Sequence, residues 1–165
     1  MSKQLLLIVL AAVAASCVTY PRLQYFDGWT ISGRNTAVEQ TPDGRYAQTG
    51  HLLVSGNAAV LVVERRDDDS LFAIDDETSH LIRVELPRPP RVGVVATPRA
   101  YHQTCPLIGR CEEAPLIRGR VEIRKVDATS VDADLDLEFP GLHLKKTATF
   151  TKATPDKKWD IEPAR

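Results

Sequence analysis

The chain has 165 residues, 43% of them apolar, 26% charged and 6% aromatic, with 21 basic against 22 acidic side chains. That length fits one globular domain, and Leu, Ile, Val and Phe at roughly 27% exceed the level of about 20% under which a chain stays disordered. A net charge of −1 and a pI near 6.4 exclude the basic footprint of a nucleic-acid binder, and no apolar run after residue 16 is long enough to cross a bilayer as a helix.

Residues 1–16 begin Met-Ser-Lys-Gln and continue with eleven uninterrupted apolar residues, Leu5 through Ala15. A basic start and a short apolar core read as an export signal, too short for a permanent membrane span. The small residues Ala14-Ala15-Ser16 then stand directly before Cys17. This order resembles the lipobox of bacterial lipoproteins over about seventeen residues, with Ala14 where that family most often has Leu. The resemblance implies that Cys17 becomes the mature N-terminus, carrying a diacylglycerol thioether and an N-acyl chain. Two or more acyl chains hold a protein stably on a membrane where one does not. Val18, rather than Asp, follows Cys17, which implies the outer membrane, facing the periplasm. The expected organisation is a signal peptide at 1–16, a lipidated tether at 17–27 and a single β-rich periplasmic domain at 28–165. Loss of the signal removes only Lys3 among charged groups, so the domain stays nearly neutral.

Within the tether Pro21 opposes helix. From Trp29 onward the pattern has period two, with short alternating or apolar runs at 29–36, 51–54, 58–65, 70–74, 80–86 and 92–97 separated by Pro, Gly, Asn and Asp. This spacing predicts an all-β fold, a single antiparallel sandwich or barrel. Leu71, Ile74, Thr78, Leu81 and Ile82 also fit a helix stripe, but the alternation of Ile82, Val84 and Leu86 with Leu81, Arg83 and Glu85 favours strand. Residues 87–115 hold six of the eleven prolines and read as an irregular crossing containing one strand.

The clearest pattern is C-terminal. Val131, Ala133, Leu135, Leu137 and Phe139 alternate strictly with Asp132, Asp134, Asp136 and Glu138, as a half-buried antiparallel strand does. Val121 and Ile123 alternate before it; Leu142, Leu144, Ala148 and Phe150 alternate after it, giving a three-stranded meander. A two-residue turn at Pro140-Gly141 sets Phe139 opposite Leu142, Leu137 opposite Leu144 and Asp136 opposite Lys145. A turn around Ala128 puts Arg124 near Asp132 and Arg120 near Asp136. Val126 and Lys146 break the alternation, as bulges would.

With Cys17 assigned to lipid, Cys105 and Cys111 remain as an even pair around five turn-forming residues, and a disulfide is expected in an oxidising compartment. Closing so short a loop contributes about 2 kcal/mol. His102, Glu112 and Glu113 lie near these cysteines, but a zinc site usually needs a second ligand cluster, so no metal is expected.

The acidic runs Asp67-Asp68-Asp69 and Asp75-Asp76-Glu77 lack the ordered ligand pattern of a calcium loop and read as solvated turns. The row Asp132, Asp134, Asp136 and Glu138 has the spacing of a glycosidase carboxylate pair by strand geometry alone, and reads as a solvated face. His51, His80, His102 and His143 show no ligand spacing, and there is no nucleophile elbow and no phosphate loop. No catalytic residue and no cofactor is therefore expected.

Tyr25-Phe26-Asp27-Gly28-Trp29-Thr30-Ile31-Ser32-Gly33-Arg34 resembles the first motif of lipocalins, which implies a closed eight-stranded cup. Gly28 and Trp29 are adjacent here, whereas that family spaces them by one residue. The function expected is a non-catalytic binding or accessory role in the envelope. Its partners would be the membrane through the anchor, and an envelope protein or a cell-wall component. The alternatives are a lipocalin-like carrier with an apolar cavity under Trp29, and a hydrolase with a cleft where a His meets a Ser or an acid pair.

Overall fold

The computed structural model describes residues 21–33, 36–38, 48–51, 53–67, 78–106 and 111–154. These form eleven strands and no helix: β1 (Arg22–Ile31), β2 (Thr36–Val38), β3 (Gln48–Gly50), β4 (Leu53–Asp67), β5 (Thr78–Pro87), β6 (Gly93–Ala96), β7 (Ala100–Pro106), β8 (Glu112–Pro115), β9 (Arg118–Val126), β10 (Ser130–Phe139) and β11 (Leu142–Lys152). Nine make one mixed sheet in the order β6-β9-β10-β11-β1-β4-β5-β7-β8, while β2 and β3 pair separately. Every neighbouring pair in the large sheet is antiparallel except β1 with β11, which run parallel at Gln24–Thr151 and Tyr25–Lys152.

The all-β expectation holds, and so does the meander. Phe139 faces Leu142, Leu137 faces Leu144 and Asp136 faces Lys145, the register that a Pro140-Gly141 turn demands. Gly141 supplies the left-handed conformation there, at φ 74°. On the other side Asp136 faces Arg120, but a bulge between Asp132 and Ala133 puts Lys125 opposite Asp132, and Arg124 reaches Asp134 at 3.4 Å. At Lys146 there is no bulge. The β10–β11 ladder is unbroken, and Lys146 sits half-buried opposite Leu135, on the inward side with Leu144 and Ala148. A lysine can take such a position because its aliphatic stem covers apolar surface while its ammonium reaches water.

The stretch 87–115, expected as an irregular crossing with one strand, carries three, β6, β7 and β8, because its prolines sit at strand ends or between strands, where no ladder donor is needed. Two boundaries also differ from expectation. The first strand begins at Arg22, within the stretch 17–27 expected as a tether, because Leu23, Tyr25 and Phe26 all have apolar surface to pack against. The runs 51–54 and 58–65 belong for the most part to one strand, β4, and Gly56 and Asn57 lie at a bulge against Gly28 rather than in a turn. Gly56 is required there, since a Cβ would collide with the Thr30 side chain. The expected strand at 70–74 lies outside the described residues.

How the sheet folds over is decided by one hairpin. The pairing of β7 with β8, from Thr104–Glu112 to Tyr101–Pro115, and that of β6 with β9, from Ala96–Arg120 to Gly93–Ile123, share a single register. Between them the ladder continues through Leu116 N–H to Ala100 O and Thr97 N–H to Gly119 O, both 2.9 Å. Two long strands, 93–106 and 112–126, therefore run through a common bend at Thr97-Pro98-Arg99, where Thr97 adopts φ 49°. One arm of the hairpin lies in each half of the sheet, as at the corners of sandwiches whose strands switch sheets. The halves face each other across one core that joins Leu61, Val84, Val121, Val131, Leu137 and Phe150. His102 of β7 meets Phe139 of β10 at 5.7 Å between ring centroids, although four strands of the sheet order, β11, β1, β4 and β5, separate them. The sheet is not closed into a barrel, so the cup implied by the lipocalin-like motif is not formed.

Gly119 lies beside the corner. A Cβ on it would stand 2.5 Å from the Asp136 carbonyl oxygen and 2.9 Å from the Leu137 Cα, and backbone cannot move aside as a side-chain tip can. Gly119→Ala is expected to lower the unfolding free energy by about 1–3 kcal/mol. Gly33→Ala, with nothing within 4 Å of the added carbon, should stay within about 0.5 kcal/mol. Urea denaturation midpoints of the two variants check this.

Candidate functional site

In β5 the residues Ile82, Val84 and Leu86 enter the core between the layers, so Leu81, Arg83 and Glu85 point to the other face of the sheet. That face is not open. Phe26, Ile31, Leu53, Val60, Val62 and Leu81 form a second apolar cluster on it, with Trp29, Tyr101 and Ala153 packed against them. Arg83 of β5, Gln103 of β7 and Glu113 of β8 are enclosed beside this cluster.

Arg83 is 1% exposed. Its Nη2 donates to Gln103 Oε1 at 2.9 Å, and its Nη1 faces Glu113 Oε2 at 3.4 Å. Register explains the grouping, because Gln103 stands opposite Glu113, and β7 lies next to β5. Burial draws the Arg83 guanidinium down to about 10, against the pull of Glu113, and it stays protonated at neutral pH. Glu113 is held in turn by His51, whose backbone N–H donates to Oε2 at 2.9 Å and whose Nδ1 lies 2.5 Å from Oε1. The His51 ring stacks on Tyr101 at 4.0 Å. On the same face Glu85 Oε2 accepts from Thr30 Oγ1 at 2.7 Å and from the Ile31 N–H at 2.8 Å. Arg99 donates to the carbonyl oxygens of Ile31 and Ser32.

A carboxylate on Nδ1 orients an imidazole as it does in hydrolases. Hydrolysis also needs a nucleophile or water within reach of that imidazole. The described partners of His51 are Glu113 and Tyr101, so the arrangement fastens the chain where it enters β4 onto β8. Glu85 and Arg99 do the same where the chain leaves β1. The end of β1 and the start of β4 pair with each other at Ile31–Leu53, and these side-chain hydrogen bonds fasten both ends of the β1–β4 crossing to the neighbouring strands as well.

A second polar group lies on the inward side, where His80 Nδ1 and His102 Nε2 are 3.1 Å apart and Thr104 Oγ1 is 3.3 Å from the same His102 nitrogen. A third is the outer face of the meander. Arg118 pairs with Glu138 at 2.6 Å, His143 with Asp136 at 2.8 Å, and Thr147 donates to Asp134 at 2.5 Å. The His143 hydrogen bond, with Lys145 and Arg120 nearby, holds the Asp136 carboxyl below its ordinary value. A shallow depression of about 320 Å³ opens here between Arg118, Gly119, Arg120, Asp136, Glu138 and His143. Its acids are occupied by bases across the strands, as a solvated face would be.

Cys105 and Cys111 are joined, tying the end of β7 to the start of β8. Cys17 lies outside the described residues, as do Asp68, Asp69, Asp75, Asp76 and Glu77. Among the described residues no group of three His, Cys, Asp or Glu side chains converges on a metal position. Trp29, the expected roof of a carrier cavity, is half-buried on the outer cluster instead. The four histidines look scattered in sequence, but strand pairing brings His80 to His102, and His51 meets Glu113 through its backbone N–H and ring. Neither grouping leaves a linear mark, since 22 and 62 residues separate the partners. The one cue was Arg83 inside the apolar run Leu81-Ile82-Arg83-Val84.

No family model, curated protein or solved structure matches this chain.

Removing one member of a buried ion pair strands the other's charge and costs about 3–5 kcal/mol. Glu113→Gln should therefore lower the unfolding free energy by about 3 kcal/mol, and adding Arg83→Met should recover part of that loss. A double-mutant cycle by urea denaturation tests it, and strictly additive single effects would show the pair to be uncoupled.

Proposed function

We propose that the protein is a lipid-anchored envelope domain, held through acylated Cys17 at the outer membrane and facing the periplasm, with a non-catalytic binding or accessory role toward another envelope protein or a cell-wall component. The observation that carries this reading is the order of Lys3, the apolar run, the small residues and Cys17. The start of β1 at Arg22 adds to it, because five residue steps from Cys17 span at most on the order of 17 Å, which keeps the domain close to the bilayer. The Cys105–Cys111 bond agrees with an oxidising compartment.

An accessory role is supported by what the polar groups do. The buried charges fasten the β1–β4 crossing onto the sheet, and Asp134, Asp136 and Glu138 on the outer face of the meander are paired across strands. Among the described residues the large apolar side chains left in water are Val92, Val94 and Ile117, beside the edge strand β6, and exposed apolar surface at a sheet edge is a usual feature of contact surfaces. A carrier role has less support. Leu61, Val84, Leu137 and Phe150 at the centre of the core have no accessible surface, which leaves no water-sized space beside them.

Cys17→Ser should move the protein from the membrane fraction to the soluble periplasmic fraction, and the mature wild-type mass should exceed that of residues 17–165 by the mass of the acyl groups. Persistent membrane association of the variant would overturn the anchor. A small apolar molecule retained in native mass spectrometry and lost on solvent extraction would favour the carrier.

A further inference from the structure

β6 is an end strand of the sheet, and among the described strands β9 is its one neighbour. Its other edge is in water, with Val94 57% exposed and Val92 beside it 68% exposed. The ladder fixes which backbone groups lie on that edge. The Thr97 N–H donates to the Gly119 carbonyl, and N–H and C=O directions alternate along a strand, so Val95 turns its own toward β9. Val94 and Ala96 turn theirs outward. Charged side chains are one way in which proteins keep an edge from pairing. β8, at the other end of the sheet, carries Glu112 and Glu113, whereas Gly93, Val94, Val95 and Ala96 of β6 carry no charge.

We propose that β6 is a self-association edge: two copies of this chain pair their β6 strands antiparallel about a two-fold axis at Val95, so that the two sheets become one. In that register Val94 of each copy stands opposite Ala96 of the other, and each pair exchanges both backbone hydrogen bonds. The two Val95 side chains meet directly across the axis. Val95 is half-buried and packs on the core within one copy, so this contact carries the apolar row from one core toward the next.

Charge selects the register. Glu122 stands beside Val94 and Arg120 beside Ala96, and all four side chains are exposed on the outer face. With the axis at Val95, each outer row across the interface reads Glu122, Val94, Ala96 and Arg120, an acid at one end and a base at the other. An axis at Val94 would end a row in two copies of Glu122, and an axis at Ala96 in two copies of Arg120. Like charges so placed act against a wrong register. The pairing ends at the Thr97 bend, so the interface is far smaller than the area of about 800 Å² per partner in a standard stable complex. A weak, reversible dimer follows, with a dissociation constant on the order of 100 μM. The dimer rests on β6 being the contact edge of the proposed function, and not on the acyl anchor.

Sedimentation of the full exported chain with Cys17→Ser, from about 10 μM to about 1 mM, tests it. Monomer should give way to dimer across that range. Val94→Lys, which sets an ammonium beside Arg120 of the second copy, should raise the dissociation constant about tenfold or more. Amide exchange supplies a reading that needs no substitution at the edge. The Val94 and Ala96 amides should exchange several-fold more slowly at the top of the concentration range than at the bottom, while Val95, already facing β9 within one copy, should not change. A monomer throughout, an unchanged dissociation constant in Val94→Lys, or Val94 and Ala96 amides indifferent to concentration would each overturn the dimer. None of these results would touch the anchor, which the release of Cys17→Ser from the membrane reads by itself.

Discussion

The bent hairpin of residues 93–106 and 112–126 is the constraint on which the two-layer arrangement rests. A single register runs from the β7–β8 arm through the corner into the β6–β9 arm. A slip of one residue anywhere along it would turn the side chains of both layers to the wrong face at once. The corner is also where other elements are tied in. The Arg99 carbonyl accepts from the Glu85 N–H, the Arg99 guanidinium holds the end of β1, and the Ile117 N–H donates to Glu138 of β10. Three strands, β1, β5 and β10, are thus tied to the hairpin at two residues, Arg99 and Ile117.

The layers differ in what lies outside them. The meander presents an open outer face, and the inner and outer residues of β10 alternate strictly. The layer built from β1, β4, β5, β7 and β8 is covered on its outer side as well, and residues 58–63 of β4 are buried without interruption. Strands covered on both faces lose alternation and become runs of apolar residues. A guanidinium enclosed there needs compensation, and Gln103 and Glu113 provide it in the plane of the sheet. The pair does little for net stability relative to an apolar replacement, but it fixes which parts of β5, β7 and β8 lie together.

Legibility in the sequence followed this difference. In β10 each apolar residue was followed by an acid, and a Pro-Gly turn left one register to the hairpin, so even cross-strand partners were readable. In β4 the same amount of apolar sequence carried no face information, and Gly56-Asn57 looked like a turn because a bulge uses the same residue types. The strand starting at Arg22 was hidden by Pro21 and by its neighbour, β11, whose pairing spans most of the chain. The candidate polar groups were illegible for the same reason. Arg83 and Glu113 are brought together by the pairings of β5 with β7 and β7 with β8, His51 joins them from 62 residues away, and no local pattern encodes those contacts.

The parallel pairing of β1 with β11 has a consequence for assembly. The first described strand of the sheet has the last as its neighbour, so the middle of the sheet is closed by the strand pairing of longest range among the described residues. Contacts of that separation form late and slow the folding of β proteins. Until β11 arrives, β1 and β10 each present an unpaired ladder, and such edges are where incomplete chains join one another. A chain emerging from its N-terminus would carry these two open edges until its final strand was available, which makes the native sheet the product of the whole chain and not of its successive parts.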